Sequence, residues 1–256
     1  MLVDKIKQIS SNKYEIKFKN NEKIILSSTT ILNNNLLFKK DIDDDLLKKV
    51  KKEDEYFILY DKVIKMLGSK RKCEYEIRTY LEKNKLSQKN IDKMINSLKG
   101  KKLIDDASYV KAYINDKINL SSDGPLKIKR DLLTFNIDEN TIDEELESID
   151  DSIVLDKLKK LIEKKISLNK RDSIYILKQK IVNEFVNKGY YKETILDILE
   201  SININDEDVL EKEFNKLYNK YKIKYQSNEL ETFIKGKLYK KGFSLENINE
   251  VLSKYL

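Results

Sequence analysis

The sequence predicts a mainly α protein: tandem three-helix repeats, about four units, behind a small N-terminal β-rich segment. Three observations lead there. Helix breakers are scarce, with six Gly and one Pro in 256 residues, too few for a chain of loops, sandwiches or propellers. Large apolar residues recur at a long, nearly fixed period through most of the chain. Only the first forty residues alternate apolar and polar side chains instead.

Residues 1–55 read as a β-hairpin or small sheet followed by a short helix. Tyr14, Ile16 and Phe18 alternate with Glu15 and Lys17, which gives a strand one buried face. Lys23-Ile24-Ile25-Leu26 reads as its partner. Lys19-Asn20-Asn21-Glu22 between them suits a turn, because Asn tolerates positive φ. Ile6 and Ile9 suit a third strand. Asp41 to Asp45 opens the short helix, since acids favour an N-terminal turn.

Residues 56–256 read as four three-helix repeats, about 56–102, 103–149, 150–202 and 203–256. The anchors are Leu86, Ile137, Tyr190 and Phe243, separated by 51, 53 and 53 residues. Nine before each stand Ile77, Ile128, Ile181 and Ile234; five before stand Leu81, Leu132, Phe185 and Leu238. Five after stand Ile91, Ile142, Ile195 and Ile248; nine after stand Ile95, Leu146, Leu199 and Leu252. These spacings fall on one stripe of a helix. Immediately before the anchors come Lys85, Asn136, Gly189 and Gly242, three of which suit the left-handed residue that closes a helix. Immediately after come Ser87, Asp138, Tyr191 and Ser244, three of which suit an N-cap. The unit is helix, tight turn, helix, with a further helix filling the period.

Composition excludes several chemistries. The chain has no His and one Cys, Cys73, which removes His-based metal sites, Cys–His pairs and Ser-His-Asp triads. The glycines stand singly, so no phosphate-cradling loop is present. No carboxylate pair is set apart by an apolar surrounding. The chain is therefore read as a non-enzyme with no cofactor. It has no apolar leader and no apolar run long enough for a membrane span, and with one Cys a cytoplasmic setting is expected.

Function must then lie on the surface. The net charge of +7, from 51 basic and 44 acidic side chains, permits nucleic-acid or acidic partners without demanding them. Basic clusters stand at Lys70-Arg71-Lys72 with Arg78, at Lys127, Lys129 and Arg130, and at Lys157 to Lys165. The first two clusters are the candidate binding residues. Residues 138–151 carry eight acids and no base, a patch that repels DNA and suits a basic partner. Asp105, Asp106 and Gly124 read as residues that cap or turn helices. Pro125, the only proline, sits where a helix starts, in a structural hinge between units one and two.

Several runs resemble the RecX family. Leu98-Lys99-Gly100-Lys101-Lys102-Leu103-Ile104-Asp105-Asp106, then Tyr109-Val110 and Tyr113, is similar to that family's first-repeat signature. Asp123-Gly124-Pro125-Leu126-Lys127-Ile128-Lys129-Arg130-Asp131-Leu132 and Cys73-Glu74-Tyr75-Glu76-Ile77-Arg78-Thr79-Tyr80-Leu81 resemble two further runs. Lys102 stands where the family usually has Gly. The resemblance implies a regulator that binds the RecA recombinase and its nucleoprotein filament. Such a regulator limits filament growth and the recombinase, ATPase and coprotease activities, and serves DNA repair. It implies RecA and the RecA–DNA filament as partners, with single- and double-stranded DNA as further ones. A monomer is expected. The competing reading is a helical DNA-binding protein that acts without RecA.

Overall fold

The structure, a computed structural model, describes residues 1–255. It forms two compact units, Met1–Tyr109 and Val110–Leu256. Among the described residues no helix is long and apolar enough to cross a membrane.

The first unit opens with an antiparallel sheet of β1 (Val3–Ser10), β2 (Lys13–Phe18) and β3 (Lys23–Ser27), in that order. Asn21, at φ 68°, turns the chain between β2 and β3. Ile6 pairs with Ile16 and Ile16 with Ile24, while Lys5, Lys17 and Lys23 form the adjacent row. Adjacent rows point to opposite faces, so one face is apolar and the other lysine-rich. Ile16, Phe18 and Leu26 pack with Ile31, Leu36, Ile42 and Val50. Ile9 differs from expectation: it is exposed, because an odd separation from Ile6 puts it on the opposite face. A short helix, α1 (Ser28–Asn33), follows; Ser27 caps it by accepting from the Thr30 amide.

The short helix expected near Asp41 is the start of a long one, α2 (Asp44–Ser69), capped by Asp43. No breaker interrupts the run until Gly68, so α2 passes straight through position 56, where the sequence reading begins its first repeat. The helices then follow in threes. Completing the first set are α3 (Glu74–Lys83) and α4 (Gln88–Gly100). The second set is α5 (Asp106–Leu120), α6 (Pro125–Leu133) and α7 (Glu139–Glu147). The third is α8 (Asp151–Ser167), α9 (Ile174–Asn187) and α10 (Lys192–Ser201). The last is α11 (Glu207–Tyr221), α12 (Ser227–Lys240) and α13 (Leu245–Tyr255).

Of the twenty column residues only Leu86 and Leu146 are half-buried; the others are buried. All four corner residues adopt positive φ: Lys85 59°, Asn136 51°, Gly189 86° and Gly242 84°. Lys85, which looked like the exception, obeys the geometry at a steric cost. Lys102 does the same at φ 55°, where a glycine is free of strain. Lys85→Gly and Lys102→Gly should each raise stability by about 0.5–1 kcal/mol. The urea midpoint measures this, and a lowered midpoint would contradict it.

Candidate interaction site at the repeat junctions

Each set of helices meets the next through the start of its second helix. At the first junction the Glu74 amide donates to Asp106 Oδ1 at 2.9 Å. At the third the Ile174 amide donates to Asp206 Oδ2 at 2.7 Å. Donor and acceptor are 32 residues apart in both. The corresponding donor position at the middle junction is Pro125, which has no N–H. Thirty-two residues on stands Lys157 rather than an aspartate. Its Nζ donates to the carbonyls of Asp123 at 3.1 Å and Lys117 at 3.3 Å. The polarity of the contact is reversed: the later helix donates and the earlier segment accepts.

The backbone comes very close here. The Gly124 amide donates to the Lys188 carbonyl at 2.7 Å and the Leu126 amide to the Gly189 carbonyl at 3.0 Å. A Cβ built on Gly124 would lie 2.6 Å from the Gly189 oxygen. Gly124-Pro125 is thus not a hinge between the first two units. It starts α6 inside the second set and clamps the α9–α10 corner of the third.

Asp123, 8% exposed, accepts from Lys127 Nζ at 2.6 Å and Lys117 Nζ at 3.1 Å. Burial pushes its carboxyl up, but the two lysine hydrogen bonds outweigh that and hold it below the usual carboxylate range. Burial pushes the Lys157 ammonium down, against the pull of Asp123. A carboxylate with a depressed folded pKa contributes stability above the unfolded value of about 4, lost as pH falls through the folded value. Asp123→Asn should lower the melting temperature at pH 7 and flatten its fall between about pH 4 and pH 2. A parallel displacement of the two curves would remove Asp123 from that role.

Three clefts open beside these junctions. The first, of about 750 Å³, brings together Arg71, Lys72, Lys99, Lys102, Asp105, Asp106 and Tyr109. One basic cluster and one helix-starting motif, separate in the sequence, therefore share a site. Arg71 and Lys102 are exposed and pair with no carboxylate among the described residues. Lys72 is held by Glu76 at 2.5 Å. Lys70, which caps α2, is also exposed and unpaired among the described residues. Asp106 is the junction acceptor, and Asp105 caps the start of α5 through Ala107 and Ser108. Arg78 lies away from the cleft lining and bridges α3 to α4 through Glu74 at 2.5 Å and Asp92 at 2.6 Å.

The second cleft, of about 530 Å³, includes Pro125, Lys129, Asp143, Glu147 and Tyr190. Lys129 is neutralised by Glu139 at 2.8 Å and Asp143 at 2.7 Å, and Lys127 by Asp123. Arg130 is exposed, with only the Leu126 carbonyl near its Nε among the described residues. The third cleft, of about 780 Å³, includes Tyr175, Lys178, Asp206, Tyr239, Lys240 and Phe243. None of its cations or tyrosines was singled out by charge clustering. The signal lay in the helix starts: Lys178 stands five residues after Ser173, as Lys129 stands five after Gly124.

Comparison with known proteins agrees with this architecture. The sequence profile of the second three-helix domain of RecX matches residues 105–146, the span of α5–α7. The Leu103-Ile104-Asp105-Asp106 run thus leads into the second domain and does not mark a first repeat. The protein called "Regulatory protein RecX" in Streptococcus agalactiae serotype Ia is 30% identical over 195 residues, covering 74% of this chain and 75% of its own. A protein of the same name in Oceanobacillus iheyensis is 28% identical over 202 residues, covering 77% and 74%. A crystal structure of regulatory protein RecX shares the fold, with TM-score 0.63 and 20% identity over 78% of this chain and 99% of that one. The crystal structure of RecX from Lactobacillus salivarius gives TM-score 0.54 and 26% identity over 58% and 97%. With four sets of three helices, the matching profile and relatives at this level of identity and coverage, the chain belongs to the RecX family of regulatory proteins.

Proposed function

We propose that this protein regulates a RecA-type recombinase by binding its nucleoprotein filament, as a monomer and without chemistry of its own, limiting filament growth and ATP turnover. The observation that carries this reading is a set of exposed cations left without carboxylate partners among the described residues, in a chain whose relatives bear the name of regulators. Lys70, Arg71, Lys102 and Arg130 are exposed, and with Nζ or guanidinium groups uncommitted they suit phosphate or carboxylate groups on a filament. Lys72, Arg78, Lys127 and Lys129 are already engaged within their own repeats, so their first task is structural.

Purified protein added to RecA on single-stranded DNA should slow ATP hydrolysis and shorten filaments; no change at equimolar protein would refute the reading. Arg71→Glu with Arg130→Glu should weaken inhibition roughly tenfold, equivalent to about 1.4 kcal/mol, with an unchanged melting temperature. Lys127→Glu with Lys129→Glu should lower the melting temperature, because each leaves carboxylates facing a like charge. Equal melting temperatures for the two double variants would remove this division of labour.

A further inference from the structure

We propose that the third junction cleft is a docking site for an acidic, apolar helical turn of a partner protein. The middle and third clefts are built on the same plan. In the middle cleft, Lys129 of α6 and the Tyr190–Thr194 corner belong to the lining. So does an acidic and apolar turn of the same chain, with Asp143, Leu146, Glu147 and Ile149. Asp143 and Glu139 neutralise Lys129.

The third cleft repeats the first part of this arrangement. Lys178 of α9 occupies the station of Lys129, and the corner is Phe243–Asn247. No acidic turn belongs to its lining among the described residues. Lys178 and Lys240 have no carboxylate there. Tyr175 and Tyr239 stand on the rim, each 59% exposed, with no hydrogen-bond partner among the described residues. Phe243 is buried in the wall. Tyrosines flanking a pocket with an apolar wall are the residues that anchor protein partners.

Asp206 sets the class of occupant. It is 4% exposed and lines this cleft. One oxygen takes the Ile174 amide; Oδ1 has no partner, alone among buried side-chain polar atoms of the described residues. A carboxylate in the lining disfavours a phosphodiester backbone, which offers only acceptors and negative charge. A peptide turn brings a few carboxylates together with apolar side chains, without a continuous run of negative charge. The two lysines then serve the acids, the rings and Phe243 the apolar residues.

A fluorescent peptide of residues 139–151 of this chain carries the acidic and apolar turn that stands beside Lys129 in the middle cleft, and can be titrated against the full-length protein. Saturable binding is expected, about tenfold weaker with Lys178→Glu and with Tyr175→Ala plus Tyr239→Ala, each variant melting as the parent does. A peptide carrying D143K and E147K should bind at least about tenfold less well. No saturable binding, or binding indifferent to the cleft variants, overturns the proposal. So does a single-stranded oligonucleotide that binds in place of the peptide and is lost in the same variants. No recombinase is present, so failure here leaves the filament reading untouched, and failure of filament inhibition leaves this one untouched.

Discussion

Gly189→Ala should destabilise the second unit by about 2–5 kcal/mol. Two independent costs add. Gly189 sits at φ 86°, where a Cβ costs about 1–2 kcal/mol. The new Cβ would also press on the backbone nitrogen of Lys127 and lie 2.6 Å from the Lys127 Cβ, an overlap of the kind that costs about 1–3 kcal/mol. Neither neighbour can yield, because the Leu126 amide is hydrogen-bonded to the Gly189 carbonyl itself. The melting temperature should fall by roughly 4–20 °C, at about 2–4 °C per kcal/mol for a chain of this size. Gly236 makes the control: a Cβ there meets nothing within 4 Å. Gly236→Ala, in the middle of α12, should be neutral or stabilising by up to about 1 kcal/mol. If the two variants melt alike, close packing at the middle junction is not what holds it.

Lys157→Asp should cost about 3–5 kcal/mol, the range for stranding a partly buried charge. The wild-type ammonium donates to two carbonyls, those of Lys117 and Asp123. An aspartate would point a second carboxylate at those oxygens, beside the Asp123 carboxylate, and find no donor at Pro125. The first and third junctions say what is missing. There an aspartate is correct because the residue at the helix start has an N–H to give. Pro125→Ile should therefore be mildly harmful alone yet recover more than about 1 kcal/mol in the Lys157→Asp background, a coupling that a double-mutant cycle measures. Strict additivity would mean the aspartate and the helix start do not meet.

The repeat was legible because its columns are apolar and their burial tolerates few substitutes: Ile77, Ile128, Ile181 and Ile234 are all fully buried. The β segment was legible from alternation in Tyr14–Phe18. The length of α2 was not, because acids at Asp41–Asp45 mark a start and nothing in the next twenty residues marks a continuation. The proposed binding residues were only half legible. Charge clustering found Arg71 and Arg130, but it cannot see partners that approach from another helix. Asp92 and Asp143 are each 14 residues from the cation they neutralise. It also counted Lys157 in a basic cluster without seeing its task, which is set by a proline 32 residues earlier. Lys178 escaped for a related reason. Its significance lies in the absence of an acidic turn beside it, and an absence has no letter in the sequence.

The reversed contact at the middle junction has a consequence for the order of the modules. Repeats with one common connector can be deleted, duplicated or exchanged without a local fault. Here the second module ends in a socket that accepts a cation, while the first and third end in sockets that accept an anion. A module carrying Asp206 placed after Gly124-Pro125 would present a carboxylate to carbonyl oxygens, and one carrying Lys157 placed after Cys73 would present an ammonium to an amide. The parts are keyed, so removing the third module whole should leave a chain whose remaining ends refuse each other. The sequence of modules is thereby written into the joints as well as into the chain.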